Sequence, residues 1–190
     1  MAIFLAFTSS FAQTTVPLNE SFESESIPFP WAFITPSGSV DWEIDDSYSH
    51  SGSYSAAIGY QNQKDSWLVT PKLSPQSGDS IKFWLMLESP TNFSLCDTFA
   101  VMISTTNTEL ENFTALETVW NGETTGDYTF TEEVWTYVAI SLEDYVGEEI
   151  YLAFKKSSSG NCGVVWLDDV SGVDYITPTC LVPGTVASTT

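Results

Sequence analysis

At 190 residues, 43% hydrophobic and 14% aromatic, the chain carries enough apolar side chain to close one core of ordinary size, which excludes a disordered polymer. Its 5 Lys+Arg stand against 25 Asp+Glu, a formal charge of -20. Phosphate backbones and anionic lipid would be repelled, so nucleic acid and acidic membranes are set aside as partners, and most of the acids are expected on a solvated surface.

The chain opens with AIFLAFTSSFAQ, Ala2 to Gln13, apolar and then small, with Ser10, Phe11 and Ala12 in the pattern of a signal-peptide cleavage site. Residues 1–13 are therefore read as a signal segment and the protein as secreted, although the usual basic start is missing, since no Lys or Arg precedes Lys64. A buried N-terminal strand is the competing reading. No later apolar run reaches the roughly 20 residues of a membrane-spanning helix, so direct membrane insertion is not expected.

From there, short runs of β type alternate with turn residues, and no helical period extends past a turn or two. Strands are expected at Asn19 to Ser24, Trp31 to Ile34, Asp41 to Ile44, Tyr54 to Tyr60 and Trp67 to Thr70. Ser80 to Glu88 alternates cleanly, with Ile81, Phe83, Leu85 and Leu87 on one face and Lys82, Trp84, Met86 and Glu88 on the other. Phe99, Val101 and Ile103 repeat that pattern, as do Ile150, Leu152 and Phe154. Thr114 to Trp120, Val134 to Ser141 and Gly163 to Val170 complete the set, with Asn121 to Asp127 expected to tip a hairpin between the strands of Trp120 and Trp135. About ten to twelve half-buried strands over residues 14–176 fit an all-β fold, a two-sheet antiparallel jelly-roll β-sandwich. Residues 177–190 (TPTCLVPGTVASTT) have no apolar periodicity and read as a linker.

Three cysteines make an odd number. Cys96 and Cys162 each precede a strand-like run, and if those strands lie side by side the two can form a disulfide, leaving Cys180 for a partner outside this stretch.

Two acidic strings, FES at Phe22 and LDDV at Leu167, are embedded in strand-like sequence near opposite ends of the chain. A carboxylate at the edge of a core is costly unless it meets a cation or a metal, and basic residues are scarce. If the first and last strands meet, Glu23, Asp46 and one or both of Asp168 and Asp169, with backbone carbonyls around Ser21 and Ser49, could cage Ca²⁺, which takes 6 to 8 oxygen ligands. Strand alternation points Asp168 and Asp169 to opposite faces. The plainer reading is that Glu23 caps backbone N–H groups and the Asp pair is edge solvation. Trp42, Trp120, Tyr48 and Tyr128, with Trp84 and Trp166, are the rings expected to be partly exposed, with Trp42 and Trp120 first as platforms for a sugar because each abuts a polar or acidic turn. Catalytic signals are weak. His50 is the single histidine and sits in a Gly/Ser turn, and there is no HExxH, phosphate loop or zinc-spaced Cys/His cluster.

Taken in order, FES at Phe22, Trp31 after Pro28 and Pro30, Trp42 after an acid, HSGSYSA from His50 and SWLVTPKL from Ser66 resemble the cleaved-adhesin, or choice-of-anchor J, family of MAM-like bacterial jelly rolls. KFWLML from Lys82, FAVMIST from Phe99, ETVW from Glu117, the stretch Trp135 to Phe154 and VWLDDV from Val165 continue the resemblance. It implies a non-catalytic extracellular attachment module within a larger secreted or surface protein, adhesin or protease, with CLVP after Thr179 resembling the opening of a fibronectin type III-like module beyond Thr190. A glycan or a host or matrix protein surface is the expected partner. A structural subunit of a fibre or matrix, or an accessory domain of a secreted protease or glycoside hydrolase, are the alternatives.

Overall fold

The computed structural model describes residues 13–36, 41–59, 65–88, 97–121, 128–158 and 163–178. Alternating apolar side chains build two antiparallel sheets that bury one face each against the other. The strands are β1 (Thr15–Glu20), β2 (Ala32–Ile34), β3 (Glu43–Asp45), β4 (Ser55–Ile58), β5 (Asp65–Val69), β6 (Ser80–Leu87), β7 (Asp97–Ser104), β8 (Thr114–Trp120), β9 (Thr136–Ser141), β10 (Tyr151–Ser158) and β11 (Val165–Ile176). The first sheet runs β3-β4-β11-β6-β9 with β1 also on β11, and the second runs β2-β5-β10-β7-β8. This is the all-β sandwich expected from the alternation.

The long last strand organises the first sheet. One edge of β11 pairs with β6, and the other is shared, Val165 to Leu167 pairing with β4 and Val170 to Ile176 with β1. The first and last strands therefore do meet. Between the sheets, Ile81, Phe83, Leu85 and Leu87 of β6 face Phe99, Val101 and Ile103 of β7 and Leu152 and Phe154 of β10, all buried. Phe83 packs edge-on against Phe154 with ring centroids 5.0 Å apart, the geometry that aromatic quadrupoles favour. Lys156, on the same face of β10, is wholly buried, and its ammonium donates to the carbonyls of Gly59 and Gly163.

Three expectations are corrected. The strand expected over Asn19 to Ser24 ends at Glu20, because Phe22 takes a left-handed φ of 55° that breaks the extended run and turns its ring into the core. The strands of Trp120 and Trp135 are not hairpin partners, because β8 lies in the second sheet and β9 in the first; residues 122–127 of the expected tip lie outside the described residues. The strands following Cys96 and Cys162, β7 and β11, also belong to different sheets and do not run side by side. Cys96, Cys162 and Cys180 themselves lie outside the described residues, as do the signal segment up to residue 12 and the linker from residue 179.

Truncating Phe83 leaves a void between two packed sheets, so Phe83→Ala is expected to lower the unfolding free energy by about 3–5 kcal/mol in urea titration. Lys82→Gln, on the outer face of the same strand, is expected to change it by less than about 0.5 kcal/mol.

Candidate functional site

Just past the end of β1, Glu23 turns toward the β3–β4 loop. The Glu20 carboxylate accepts the Phe22 backbone N–H at 2.7 Å, which supports the left-handed Phe22 and swings Glu23 outward. Glu23 then reaches across the fold and accepts the backbone N–H groups of Ser53 and Tyr54, each at 3.0 Å. Gly52 makes that approach possible. Its φ is 63°, and a Cβ there would stand 2.3 Å from the Glu23 carboxyl carbon.

The same loop is held from its other side by β11. Asp168, wholly buried, accepts the N–H groups of His50 at 2.8 Å and Ser51 at 3.1 Å with one oxygen, and that of Asp169 at 2.7 Å with the other. Asp169 binds the His50 ring at Nδ1, 2.6 Å, and accepts the Ser51 hydroxyl at 2.7 Å. Opposite faces for the two acids were expected from alternation, but both carboxylates reach His50 and Ser51. A φ of 50° at Asp169 and a register shift between Asp168 and Ser171 against β6 abolish the two-residue period at this point. At the loop's start, Asp45 accepts the Ser47 N–H at 2.8 Å and the Trp166 indole N–H at 3.1 Å.

These contacts revise the expected metal cage. Among the described residues no three His, Cys, Asp or Glu side chains are grouped to hold an ion, so Glu23, Asp46, Asp168 and Asp169 do not form one ligand set. Glu23 and Asp169 are turned to loop donors, Asp46 is exposed, and the Ser49 hydroxyl donates to the Gly52 carbonyl. The capping role weighed for Glu23 is the one its hydrogen bonds display. Glu20, which adjoins the FES string, is the acid that sequence reasoning missed. Burial pushes its carboxyl above the ordinary range, with a further upward push from the Asp168 charge, against the Phe22 hydrogen bond. Burial likewise raises Asp168, opposed by the N–H groups of Ser51, His50 and Asp169. Neither acid has a basic partner among the described ion pairs. Glu20, half-buried, and Asp168, buried, thus bring two carboxyls to the β1–β11 seam, and each raises the cost of ionising the pair.

The aromatic expectations divide. Trp42 and Trp120 are 2% and 5% exposed, and neither presents a ring face to solvent. Trp42 alternates inward with Ile44 while Asp41 and Glu43 point out, and Trp120 packs edge-on against Phe130 at 5.7 Å. The polarity of the neighbouring turn does not set the direction of the ring. Tyr48 is half-buried, its hydroxyl on Glu133 at 2.9 Å and its ring edge-on to the buried Trp166. Tyr128 packs against the core and donates its hydroxyl to the Ala139 carbonyl. On the outer face of the first sheet, Tyr137, 46% exposed, and half-exposed Trp84 and Trp135 reach the surface; elsewhere Phe29 and Phe33 do so as well. Trp84 and Tyr137 stand on the polar face of their alternating strands, a signal available in the sequence.

Residues 15–172, nearly the whole described sandwich, match the Cleaved Adhesin Domain family. The chain belongs to the cleaved adhesin domain family. Hemagglutinin A of Porphyromonas gingivalis is 28% identical over 181 residues, which cover 83% of this chain and 8% of that protein. The chain thus spans about 8% of the length of that curated relative. Among solved structures, the K1 cleaved adhesin domain of Lys-gingipain from P. gingivalis W83 superposes with a TM-score of 0.63 and 25% identity, covering 87% of this chain and 99% of that one. TmCBM61 in complex with beta-1,4-galactotriose shares the fold at a TM-score of 0.54 and 12% identity, over 83% of this chain and 95% of its own. Caldicellulosiruptor saccharolyticus CBM27-1 in complex with mannohexaose does so at 0.54 and 13%, over 82% and 96%. The architecture is therefore a jelly-roll β-sandwich like that of carbohydrate-binding modules, and the domain is an adhesin domain.

In this cleaved adhesin domain, Gly52→Ala must strain the left-handed backbone and displace Glu23 from the Ser53 and Tyr54 amides. A loss of about 1–3 kcal/mol is expected in chemical denaturation. Gly59→Ala, where a Cβ meets nothing within 4 Å, serves as the control.

Proposed function

We propose that this domain is an extracellular, calcium-stabilised adhesive module of a larger secreted or surface bacterial protein, and that it grips carbohydrate. One observation carries the reading: the cleaved adhesin match runs over almost the entire sandwich, and that sandwich has the architecture of modules solved with oligosaccharides. The kinship with Hemagglutinin A and Lys-gingipain supports attachment as the activity and further domains in the same polypeptide. Likeness to a domain of Lys-gingipain also favours a second reading, compatible with the first, in which the domain is a non-catalytic accessory of a secreted protease. Retention of the purified domain on a panel of immobilised glycans tests the binding; a domain that is retained on no glycan yet binds immobilised extracellular-matrix protein would redirect it to protein adhesion.

Calcium enters through Glu20 and Asp168. A bound Ca²⁺ would supply the positive charge that the seam lacks and would stabilise the fold by RT ln(1+[L]/Kd), about 2.7 kcal/mol at a hundredfold excess over Kd. The sign of the pH effect separates the two states. Without metal, the folded carboxyls hold their protons above the ordinary range. Their contribution to stability is therefore complete below the unfolded pKa, and it is lost as pH rises through the raised folded values. With Ca²⁺ the ionised forms are the bound ones and the dependence reverses. Glu20→Gln keeps an acceptor for the Phe22 N–H but removes the charge. It is expected to raise the melting temperature in EDTA at pH 7 and to lower it in millimolar Ca²⁺. Wild-type melting curves that coincide in EDTA and Ca²⁺ would rule out the structural ion.

A further inference from the structure

We propose that the outer face of the first sheet, around Tyr137, Trp84, His50 and Lys82, is a binding shelf for a neutral glycan; this rests on the carbohydrate reading above and gives it a site and a ligand class. Trp84 and Tyr137 are direct partners on adjacent strands β6 and β9, and both point outward because Phe83, Leu85 and Val138 point into the core. Part of this face is closed by the protein itself. Tyr48 and Trp135 pack over Ala57, Met86 and Trp166, and the Tyr48 hydroxyl ties the loop to Glu133. The remainder is open: β9 is an edge strand, Tyr137 is 46% exposed, and Ala139 beside it is exposed too.

The rings on the open part are fixed before any ligand arrives. His50 stacks on Trp84 with centroids 3.9 Å apart and planes 13° from parallel, and Asp169 anchors its imidazole at 2.6 Å. Trp135 meets His50 edge-on at 5.9 Å, and Tyr137 leans on Trp84 at 5.4 Å. Immobilised aromatic rings lose little freedom on binding, so more of the contact energy appears as affinity. Lys82 supplies a hydrogen-bond donor beside them. Its stem lies against Gly172, whose φ is 95° and where a Cβ would stand 2.9 Å from the lysine Cδ. Lys72 and Lys155 are neutralised by Glu149 and Asp65, and Lys156 is buried on carbonyls. Among the described residues the Lys82 ammonium has no such partner.

The charge around the shelf selects the occupant. Asp169 and Glu133 border it on a chain of net charge -20, which disfavours sulfated or uronic polymers. The C–H face of a pyranose carries a slight positive charge that suits the negative face of an aromatic ring, and its hydroxyls suit a lysine donor and carboxylate acceptors. A shelf of two or three rings matches one or two sugar residues and falls far short of the roughly 800 Å² per partner of a standard protein interface.

Affinity electrophoresis of the domain through gels containing galactan, mannan or xylan, with heparin and polygalacturonate as polyanions, tests this directly. Wild-type protein is expected to be retarded by at least one neutral polymer, insensitively to salt. Tyr137→Ala is expected to weaken that retardation at least about tenfold, Tyr137→Phe to keep most of it, and Lys82→Gln to give a smaller loss, all with wild-type melting curves. Equal retardation of wild type, Tyr137→Ala and Trp84→Ala would overturn the shelf while leaving carbohydrate binding in place. Retardation by the polyanions alone would overturn the neutral class, and no retardation by any of the polymers would remove the carbohydrate reading together with its site.

Discussion

Backbone amides of the segment between β3 and β4 are held by carboxylates from the loop's own start and from two distant places in the chain. Ser47 is bound by Asp45, His50 and Ser51 by Asp168, and Ser53 and Tyr54 by Glu23. Charge-assisted bonds of this kind are stronger than neutral ones, and here they do what a strand ladder cannot, since the loop has no ladder of its own. They tie the exit of β1, the middle of β11 and the loop into one unit. The loop in turn positions Tyr48 over Trp166 and His50 over Trp84. The aromatic outer face thus depends on acids at the seam of the first and last strands.

That arrangement also explains how a chain of net charge -20 tolerates a wholly buried aspartate. Desolvation of Asp168 is offset by three backbone N–H donors and not by a cation, so the cost falls on its protonation equilibrium, which shifts upward. Glu20 feels that charge in addition to its own burial. The seam is therefore a place of stored electrostatic cost, which a divalent cation would relieve and which protonation relieves in its absence. Structure and chemistry are coupled at the same few atoms.

The sandwich was legible because β6, β7 and β10 alternate over most of their inward positions, Lys156 of β10 being an exception, and a two-residue period has one structural meaning when one face is apolar. The seam was partly legible: FES and LDDV marked the acids, since a carboxylate inside an apolar run needs a partner. What remained hidden had specific causes. Left-handed residues at Phe22 and Asp169 are not glycines, so nothing in the sequence announces them, and each defeats the alternation rule where it mattered most. Glu20 lies at the end of an ordinary strand, and only the fold brings it near Asp168. The passage from β8 to β9 resembles a hairpin because the turn residues are the same whether a strand returns or changes sheet. Trp42 and Trp120 were misjudged from the polarity of their neighbours, whereas Trp84 and Tyr137, aromatics on the polar face of alternating strands, carried the better sign of a surface ring.

The carboxylate-held loop is the constraint on which the outer face depends, and native-state amide hydrogen exchange reads it residue by residue. The amides of His50, Ser51, Ser53 and Tyr54 belong to a segment without a ladder, yet they are predicted to exchange slowly, close to the protection of the β6 and β11 amides. Glu23→Ala is predicted to release Ser53 and Tyr54 selectively while leaving His50 and Ser51 slow. Exchange of all four at the rate of an unstructured loop in the wild-type protein would contradict the account.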